Sequence, residues 1–217
     1  MKFAIILAGC GVFDGSEIHE ATLTMLAIAQ KGGSYELFAP DVKQHHVMNH
    51  LKGEEMEEQR NVLLESARIA RGNIKALREY KPEDYDALVI PGGFGVAKNL
   101  CTYAIDGTDF SVDRVVEEAI RNTHAAGKPI GALCISPVLL AGIFDGIDVT
   151  IGKDEKTAAD IEKLGAMHIE AGPGEVVTDN ANRIVSTPAY MLDSGIADIY
   201  DGASNLVQAI IELAEEN

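Results

Sequence analysis

Short apolar runs alternate along this chain with longer stretches in which apolar residues recur every three or four positions. The apolar runs predict buried strands, at Phe3–Ala8, Tyr35–Ala39, Asp86–Pro91, Pro129–Leu133, Asp148–Ile151 and Arg183–Ser186. The three-to-four periodicity predicts helices, at Glu17–Lys31, Glu57–Arg71, Ser111–Ala126, Thr157–Leu164 and Ala203–Glu215, with one more after Pro137. The alternation favours an α/β sandwich of three layers, in which a mostly parallel sheet carries helices on both faces.

The boundaries of the first helix carry their own signals. Asp14 and Glu17 have the D-x-x-E spacing of a capping box, and Gly32-Gly33 is a typical helix end. Residues 41–55 are polar and irregular. Because no repeat, low-complexity segment or linker interrupts the pattern, one domain is predicted over residues 1–217.

Four loops are predicted to meet at one edge of the sheet. Ligands of open parallel sheets bind beyond the carboxyl ends of the strands. The loops at those ends are Gly9–Gly15, Gly92–Lys98, Cys134–Pro137 and Thr187–Tyr190. We therefore expect the functional site there, with Tyr190 as a wall of its pocket.

Cys134 stands where a buried strand turns into a helix, within the stretch KPIGALCISPVLLAGI. A thiol at such a turn is exposed at the top of the sheet, and the helix N-terminus favours its thiolate. The arrangement resembles the nucleophile elbow of hydrolases, with Ala132 and Ser136 at the positions where glycine is usual. The alternative is a small, inert core residue.

Gly92-Gly93 follows another buried strand in VIPGGFG. Glycines there free backbone N–H groups, which together with the N–H of Ile135 would form an oxyanion hole. The alternative is an ordinary glycine turn.

Three titratable side chains open the first helix near the same edge: Glu17, His19 and Glu20. A carboxyl group there would share a proton with the thiol and act as general acid and base. The alternative for both glutamates is favourable interaction with the helix dipole. Cys10, in the preceding loop, is either a second thiol near the site or a small packing residue.

Composition and charge narrow the classes of function. The 217 residues include 18 Lys+Arg and 34 Asp+Glu, for a net charge of −16, which argues against binding to nucleic acid. No apolar run approaches the ~20 residues that span a bilayer. The three widely spaced cysteines, with no secretory signal, predict neither a disulfide framework nor a zinc site and favour a reducing cytoplasm. The tract QHHVMNH is interpreted as a solvated loop, so no metal site is predicted.

Five stretches, in order along nearly the whole chain, resemble the ElbB family of isoprenoid-biosynthesis glyoxalases. They are GCGVFDGSEIHEA, RNVLLESARIARG, VIPGGFGVAKNL, GKPIGALCISP and STPAYML. That family belongs to the class I glutamine-amidotransferase-like superfamily, alongside the PfpI/ThiJ group. The resemblance implies a single flavodoxin-like domain, assembled as a homodimer, that converts glyoxal to glycolate without glutathione or another cofactor. A related deglycase activity is also implied.

Carried over residue by residue, the resemblance makes Cys134 the reactive cysteine and Glu20 its partner, with Glu17 as runner-up. Gly92, Gly93 and Ile135 fall on the oxyanion-hole positions. PfpI-type members place a histidine directly after the cysteine, where this chain has Ile135, and Pro188-Ala189-Tyr190 stands where true amidotransferases have their late His-x-Glu pair. A Cys–Glu mechanism on a small dicarbonyl substrate is therefore expected, rather than hydrolysis of glutamine or peptides.

Two alternatives remain open at this point. His19 is an alternative base because histidine titrates near neutral pH. A non-catalytic redox or metabolite sensor, or a regulatory protein, is the alternative function, in which Cys134 is an oxidisable thiol of low pKa.

Overall fold

Seven strands form one sheet in the computed structural model, which describes residues 1–216. In chain order the strands are β1 (Lys2–Ile6), β2 (Ser34–Ala39), β3 (Met48–Asn49), β4 (Glu54–Glu55), β5 (Lys75–Ala76), β6 (Ala87–Ile90), β7 (Ile130–Leu133), β8 (Asp148–Val149), β9 (Met167–His168), β10 (Val177–Asp179) and β11 (Ile184–Thr187). The large sheet has the order β10-β11-β7-β6-β1-β2-β5 and is parallel except for the β10–β11 pair. The pairs β3–β4 and β8–β9 stand outside it.

Helices cover both faces of this sheet. They are α1 (Ile18–Gln30), α2 (Val62–Ile69), α3 (Tyr103–Asp106), α4 (Arg114–Ala125), α5 (Ser136–Ala141), α6 (Glu155–Lys163) and α7 (Ile196–Glu215). The flavodoxin-like sandwich predicted from the sequence is confirmed. No helix within residues 1–216 is both long and apolar enough to cross a membrane.

The alternation of side chains along the strands builds two cores. In β1, Phe3 and Ile5 face the layer of α1, α2 and α7, whereas Ala4 and Ile6 face the layer of α4, α5 and α6. A strand buried on both faces is apolar at every position, which is why the sequence showed continuous apolar runs. The central strands are thereby fixed, and their carboxyl ends position the loops that follow.

The capping box predicted at Asp14 is wrong. Glu17 is the N-cap of α1, and its carboxylate accepts the N–H of Glu20 at 2.7 Å. The Asp14 carboxylate instead accepts the N–H of Met48 at 2.6 Å, which attaches the 41–55 segment to the Gly9–Gly15 loop. The D-x-x-E spacing is coincidental here, because the Asp14 carboxylate is bonded to Met48 and not to the start of the helix.

Helices α2 and α7 begin well away from their predicted starts, and five strands of two or three residues were missed: β3, β4, β5, β9 and β10. Helix α2 begins five residues later than predicted, because Asn61 caps it by accepting the N–H of Leu64. Helix α7 begins earlier, at Ile196, and runs through Gly202, which packs closely against Thr187. Of these, β10 has three residues and pairs antiparallel with β11 at the edge of the large sheet.

Candidate active site

Cys134 occupies a strained turn between β7 and α5. Its φ is +58°, in the left-handed region that residues other than glycine rarely adopt. The turn is held because the N–H of Cys134 donates to the Thr187 carbonyl at 3.0 Å and the Ser136 hydroxyl donates to the Pro91 carbonyl at 3.0 Å. Such strain costs roughly 1–3 kcal/mol and is concentrated at functional sites. The interpretation of Cys134 as an ordinary core residue leaves this strain unexplained.

Glu20 is the carboxyl group that contacts Cys134. It is fully buried on the first turn of α1 and hydrogen-bonded to the Cys134 side chain. Its carboxylate also accepts the N–H of Gly92 at 2.8 Å and the N–H of Tyr190 at 3.4 Å. Burial, followed by the charge of Glu17, raises the pKa of Glu20 to about 7. A carboxyl group with this pKa can both accept and donate a proton near neutral pH.

The thiol of Cys134 is only 7% exposed, and its pKa is raised rather than lowered. Burial is the largest cause and the negative charge of Glu20 the second. The stabilisation of a thiolate expected at this turn is therefore outweighed by burial and by the charge of Glu20, although the N–H groups of Gly93 and Ile135 do lower the pKa. The sensor hypothesis loses its premise of a low-pKa thiol. The thiol can instead pass its proton to Glu20.

The backbone N–H groups at this turn bond two different side chains, those of Cys134 and Glu20. The N–H groups of Gly93 and Ile135 hydrogen-bond the Cys134 sulfur, and both lower its pKa. The N–H of Gly92 is engaged by Glu20 at 2.8 Å, so it is not available to an oxyanion. Of the three N–H groups expected to form an oxyanion hole, those of Gly93 and Ile135 are directed at the Cys134 sulfur, whereas that of Gly92 holds the Glu20 carboxylate.

The remaining predicted residues separate into two groups. His19 is exposed, and its Nδ1 lies 2.8 Å from the hydroxyl of Tyr190, whose backbone reaches Glu20. Cys10 is partly buried, and its charged neighbours are Glu65, Arg68, Asp14 and Arg60 rather than the groups around Cys134. Burial and then Glu65 raise the pKa of Cys10. His19 and Tyr190 therefore border the site, whereas Cys10 belongs to another cluster.

Thr187 and Ser136 support the site in a way that the sequence did not reveal. The Thr187 carbonyl and the Ser136 hydroxyl hold the Cys134 turn, although the sequence had indicated only a site loop for the first and a small elbow residue for the second. In the histidine tract, Nε2 of His50 accepts the N–H of Phe13 at 3.2 Å, so this ring packs on the Gly9–Gly15 loop. Within residues 1–216 no three His, Cys, Asp or Glu side chains are grouped to hold a metal ion.

Replacing Gly92 with Ala is expected to destabilise the protein. A Cβ atom at this position would lie 2.4 Å from the Cβ of Cys134 and 2.7 Å from Oε2 of Glu20. We expect the free energy of unfolding to fall by about 3 kcal/mol, as for other overpacked core positions. Urea denaturation measures it, and Gly172→Ala, whose nearest atom is the flexible Glu175 carboxylate at 3.3 Å, is the control. Equal midpoints for the two variants would contradict the tight contact.

The mostly parallel sheet and the strained cysteine turn between β7 and α5 define a class of α/β protein. Comparison with known proteins shows the family to which the chain belongs. The chain belongs to the DJ-1/PfpI family, whose model matches residues 11–191. It is 44% identical to human glutamine amidotransferase-like class 1 domain-containing protein 3, over 98% of this chain and 83% of that protein. The resemblance to ElbB and to class I glutamine-amidotransferase-like proteins is thus confirmed.

Two solved structures illustrate the relationship. An isoprenoid biosynthesis protein with an amidotransferase-like domain, from Ehrlichia chaffeensis, superposes with a TM-score of 0.91 at 38% identity, covering 98% of this chain and 99% of that one. Glyoxalase III from Candida albicans superposes with a TM-score of 0.61 over 98% and 97% of the chains. At 17% identity, this second likeness shows a shared fold alone.

The expectation of a cytoplasmic protein is overturned by the comparisons. The human relative and a rat relative of equal identity, 44%, are both named mitochondrial proteins. Reduced cysteines, on which the expectation rested, do not distinguish the cytosol from other reducing compartments.

Proposed function

We propose that this protein is a cofactor-independent glyoxalase that converts glyoxal to glycolate. The observation that supports it most is the contact of one sulfur atom with both a base and two donors. Cys134 lies on a strained turn, Glu20 shares its proton, and the N–H groups of Gly93 and Ile135 point at the same sulfur. The glyoxalase III fold likeness is compatible with this function.

The first step is attack of the Cys134 sulfur on one aldehyde carbon of glyoxal. The thiol proton passes to the Glu20 carboxylate as the sulfur–carbon bond forms, and the carbonyl π electrons move to the oxygen. The N–H groups of Gly93 and Ile135 stabilise that oxyanion, which then takes the proton from Glu20. The product is a hemithioacetal, and Glu20 is again a carboxylate.

The second step moves a hydrogen between the two carbons of the substrate. Glu20 removes the hydrogen of the sulfur-bearing carbon as a proton, leaving an enediolate, and returns that proton to the neighbouring carbon, while the hydroxyl proton of the first carbon passes to the oxygen of the second. The first carbon is oxidised to a thioester carbonyl and the second is reduced to CH₂OH. Because the oxidation and the reduction are internal, no cofactor takes part.

The last step is hydrolysis of the thioester. Water adds to the carbonyl, the carbon–sulfur bond breaks, and the sulfur recovers a proton as glycolate is released. Thioesters and aldehydes are much more electrophilic than amides. Ile135 stands where the PfpI group has a histidine, so the arrangement favours this substrate class over glutamine. The homodimer implied by the ElbB resemblance stays a prediction.

The test is formation of glycolate from glyoxal, followed by NMR in phosphate buffer without amines. We expect kcat/KM to rise with pH with a midpoint near 7, because the reactive form requires ionised Glu20, whose pKa is about 7. Heat-denatured protein at each pH corrects for the base-catalysed background. Glycolate formation no faster than this control at any pH would contradict the proposal.

A further inference from the structure

We propose that Glu17 is a positioning residue of this site: its carboxylate closes a ring of hydrogen bonds that holds Glu20 against the Gly92–Gly93 turn. The inference rests on the proposed function, because the pair it positions is Cys134 and Glu20. It assigns Glu17 a role different from that of an alternative base.

Three hydrogen bonds join Glu17, Glu20 and Gly92 in a closed cycle. The N–H of Glu20 donates to Oε2 of Glu17 at 2.7 Å. The N–H of Glu17 donates to the Gly92 carbonyl at 2.9 Å, and the N–H of Gly92 donates to Oε2 of Glu20 at 2.8 Å. Each residue both donates and accepts, so none can move without breaking a bond of the cycle. The cycle therefore fixes the Glu20 carboxylate relative to the turn that carries the Gly93 donor.

The space around this cycle leaves no room for adjustment. A Cβ atom on Gly93 would lie 2.4 Å from the Glu17 nitrogen, so the turn packs directly against the start of α1. Glu17 itself is buried. A shift of the helix start would be transmitted to Glu20, and misplacement of a catalytic group by about 1 Å can reduce the rate about 10²-fold.

Glu17 is an unusual residue type for the N-cap of a helix. Helices α2, α4 and α6 are capped by Asn61, Asp113 and Asp154, which are residue types preferred at N-caps. Only short polar side chains are favoured there for capping alone, and glutamate is not among them. The longer side chain of Glu17 satisfies the cap and also places a second carboxylate beside Glu20. Capping alone does not account for that carboxylate.

The charge of Glu17 has a consequence that can be separated from its hydrogen bond. The titratable groups around Glu20 are Glu17 on the same helix, Cys134 at the elbow and Tyr190 on the loop after β11, with His19 bonded to Tyr190 outside. Among these, the Glu17 charge raises the pKa of Glu20. Removing the charge should lower the pH at which the Cys134–Glu20 pair loses its first proton. Removing the acceptor should loosen the position of Glu20.

Two variants separate these effects. Glu17→Gln keeps an oxygen that accepts the Glu20 N–H but carries no charge, whereas Glu17→Ala lacks both. Asp154→Ala is the matched control, because Asp154 caps α6 by accepting the N–H of Thr157 at 2.8 Å and lies outside the site. The first readout is the pH dependence of Cys134 alkylation by iodoacetamide, resolved by mass spectrometry, and it does not require turnover. The second is kcat/KM for glyoxal, and the third is Tm.

For Glu17→Gln we expect both pH profiles to shift downward by roughly one unit, with Tm nearly unchanged. For Glu17→Ala we expect the same shift, a fall in kcat of at least about tenfold, and a fall in Tm of about 2–4 °C. Asp154→Ala should show the fall in Tm alone. Profiles of both Glu17 variants that match the wild type would overturn the inference. Shifted alkylation profiles without any glycolate in the wild type would reject the glyoxalase proposal and retain the positioning role.

Discussion

Replacement of Cys134 with Ala should abolish the conversion of glyoxal to glycolate, with a loss of at least about 10³-fold. The reason is that the sulfur forms the bond on which every later step depends. Of the other two cysteines, Cys10 belongs to the Glu65–Arg68 cluster and Cys101 is buried with its sulfur on the Val96 carbonyl. Neither of these thiols is placed beside Glu20, so neither can replace Cys134 as the nucleophile. The measurement is the rate of glycolate formation by purified variant and wild type at equal concentration.

Cys101→Ala is the control for this experiment. It removes a buried thiol of the same chemistry, with its pKa raised by burial to about 12, at a position outside the site. We expect it to keep wild-type turnover. If Cys134→Ala also kept its turnover, covalent catalysis would be excluded and the site would have to act by hydration and proton transfer from Glu20 alone.

The fold could be predicted from the sequence because its strands are buried on both faces. Continuous apolar runs such as Asp86–Pro91 and Pro129–Leu133 are typical of central parallel strands that pack between two layers of helices. The parts that were missed are short or depend on tertiary contacts. Strand β10 has three residues, and its partner β11 determines its pairing. The Asp14 carboxylate bonds the N–H of Met48, which is distant in sequence, whereas Glu17 caps α1.

The members of the site could be predicted, but their electrostatics could not. The rule for sheet edges and the ElbB resemblance together indicated Cys134, Glu20 and Gly93. The direction of the Cys134 pKa depends on burial and on its contact with Glu20, which the sequence does not contain. The same holds for Gly92, whose N–H is directed at Glu20 rather than at an incoming oxyanion. Residue types therefore indicated which side chains meet at the site, and the geometry was needed to show which N–H group bonds which of them.

Glu20→Gln should lower kcat for glyoxal by about 10²–10⁴-fold, because the amide neither accepts the thiol proton nor moves it between the substrate carbons. The variant keeps an oxygen for the N–H of Gly92, so the fold should be preserved. The expected loss is measured as the rate of glycolate formation at pH 7, and a kcat within threefold of the wild type would remove Glu20 from the mechanism. His19 would then become the next base to test, through its contact with Tyr190.

The same substitution should change how stability depends on pH, and this effect is independent of any substrate. The native pKa of Glu20 is about 7, above its ordinary value of 4.5, so between these values the native state keeps a proton that the unfolded chain has lost. Stability from this group is therefore fully present below pH 4.5 and is lost as pH rises through 7. The loss amounts to roughly 2–4 kcal/mol, and in Glu20→Gln it should be absent.

Urea denaturation at half-unit pH steps from 4 to 8 would measure this component in wild type and Glu20→Gln. The control is Glu36→Gln, because Lys75, Tyr85 and Lys2 lower the pKa of Glu36 to about 2 and give the opposite linkage. Its stabilisation is present above the ordinary pKa of 4.5 and is lost as pH falls towards 2, so this variant should retain the wild-type decline between pH 4.5 and 7. If Glu20→Gln also retained that decline, the raised pKa of Glu20 and the shared proton with Cys134 would both be rejected. If the decline disappears only in Glu20→Gln, the buried pair exists in the native protein whatever its substrate.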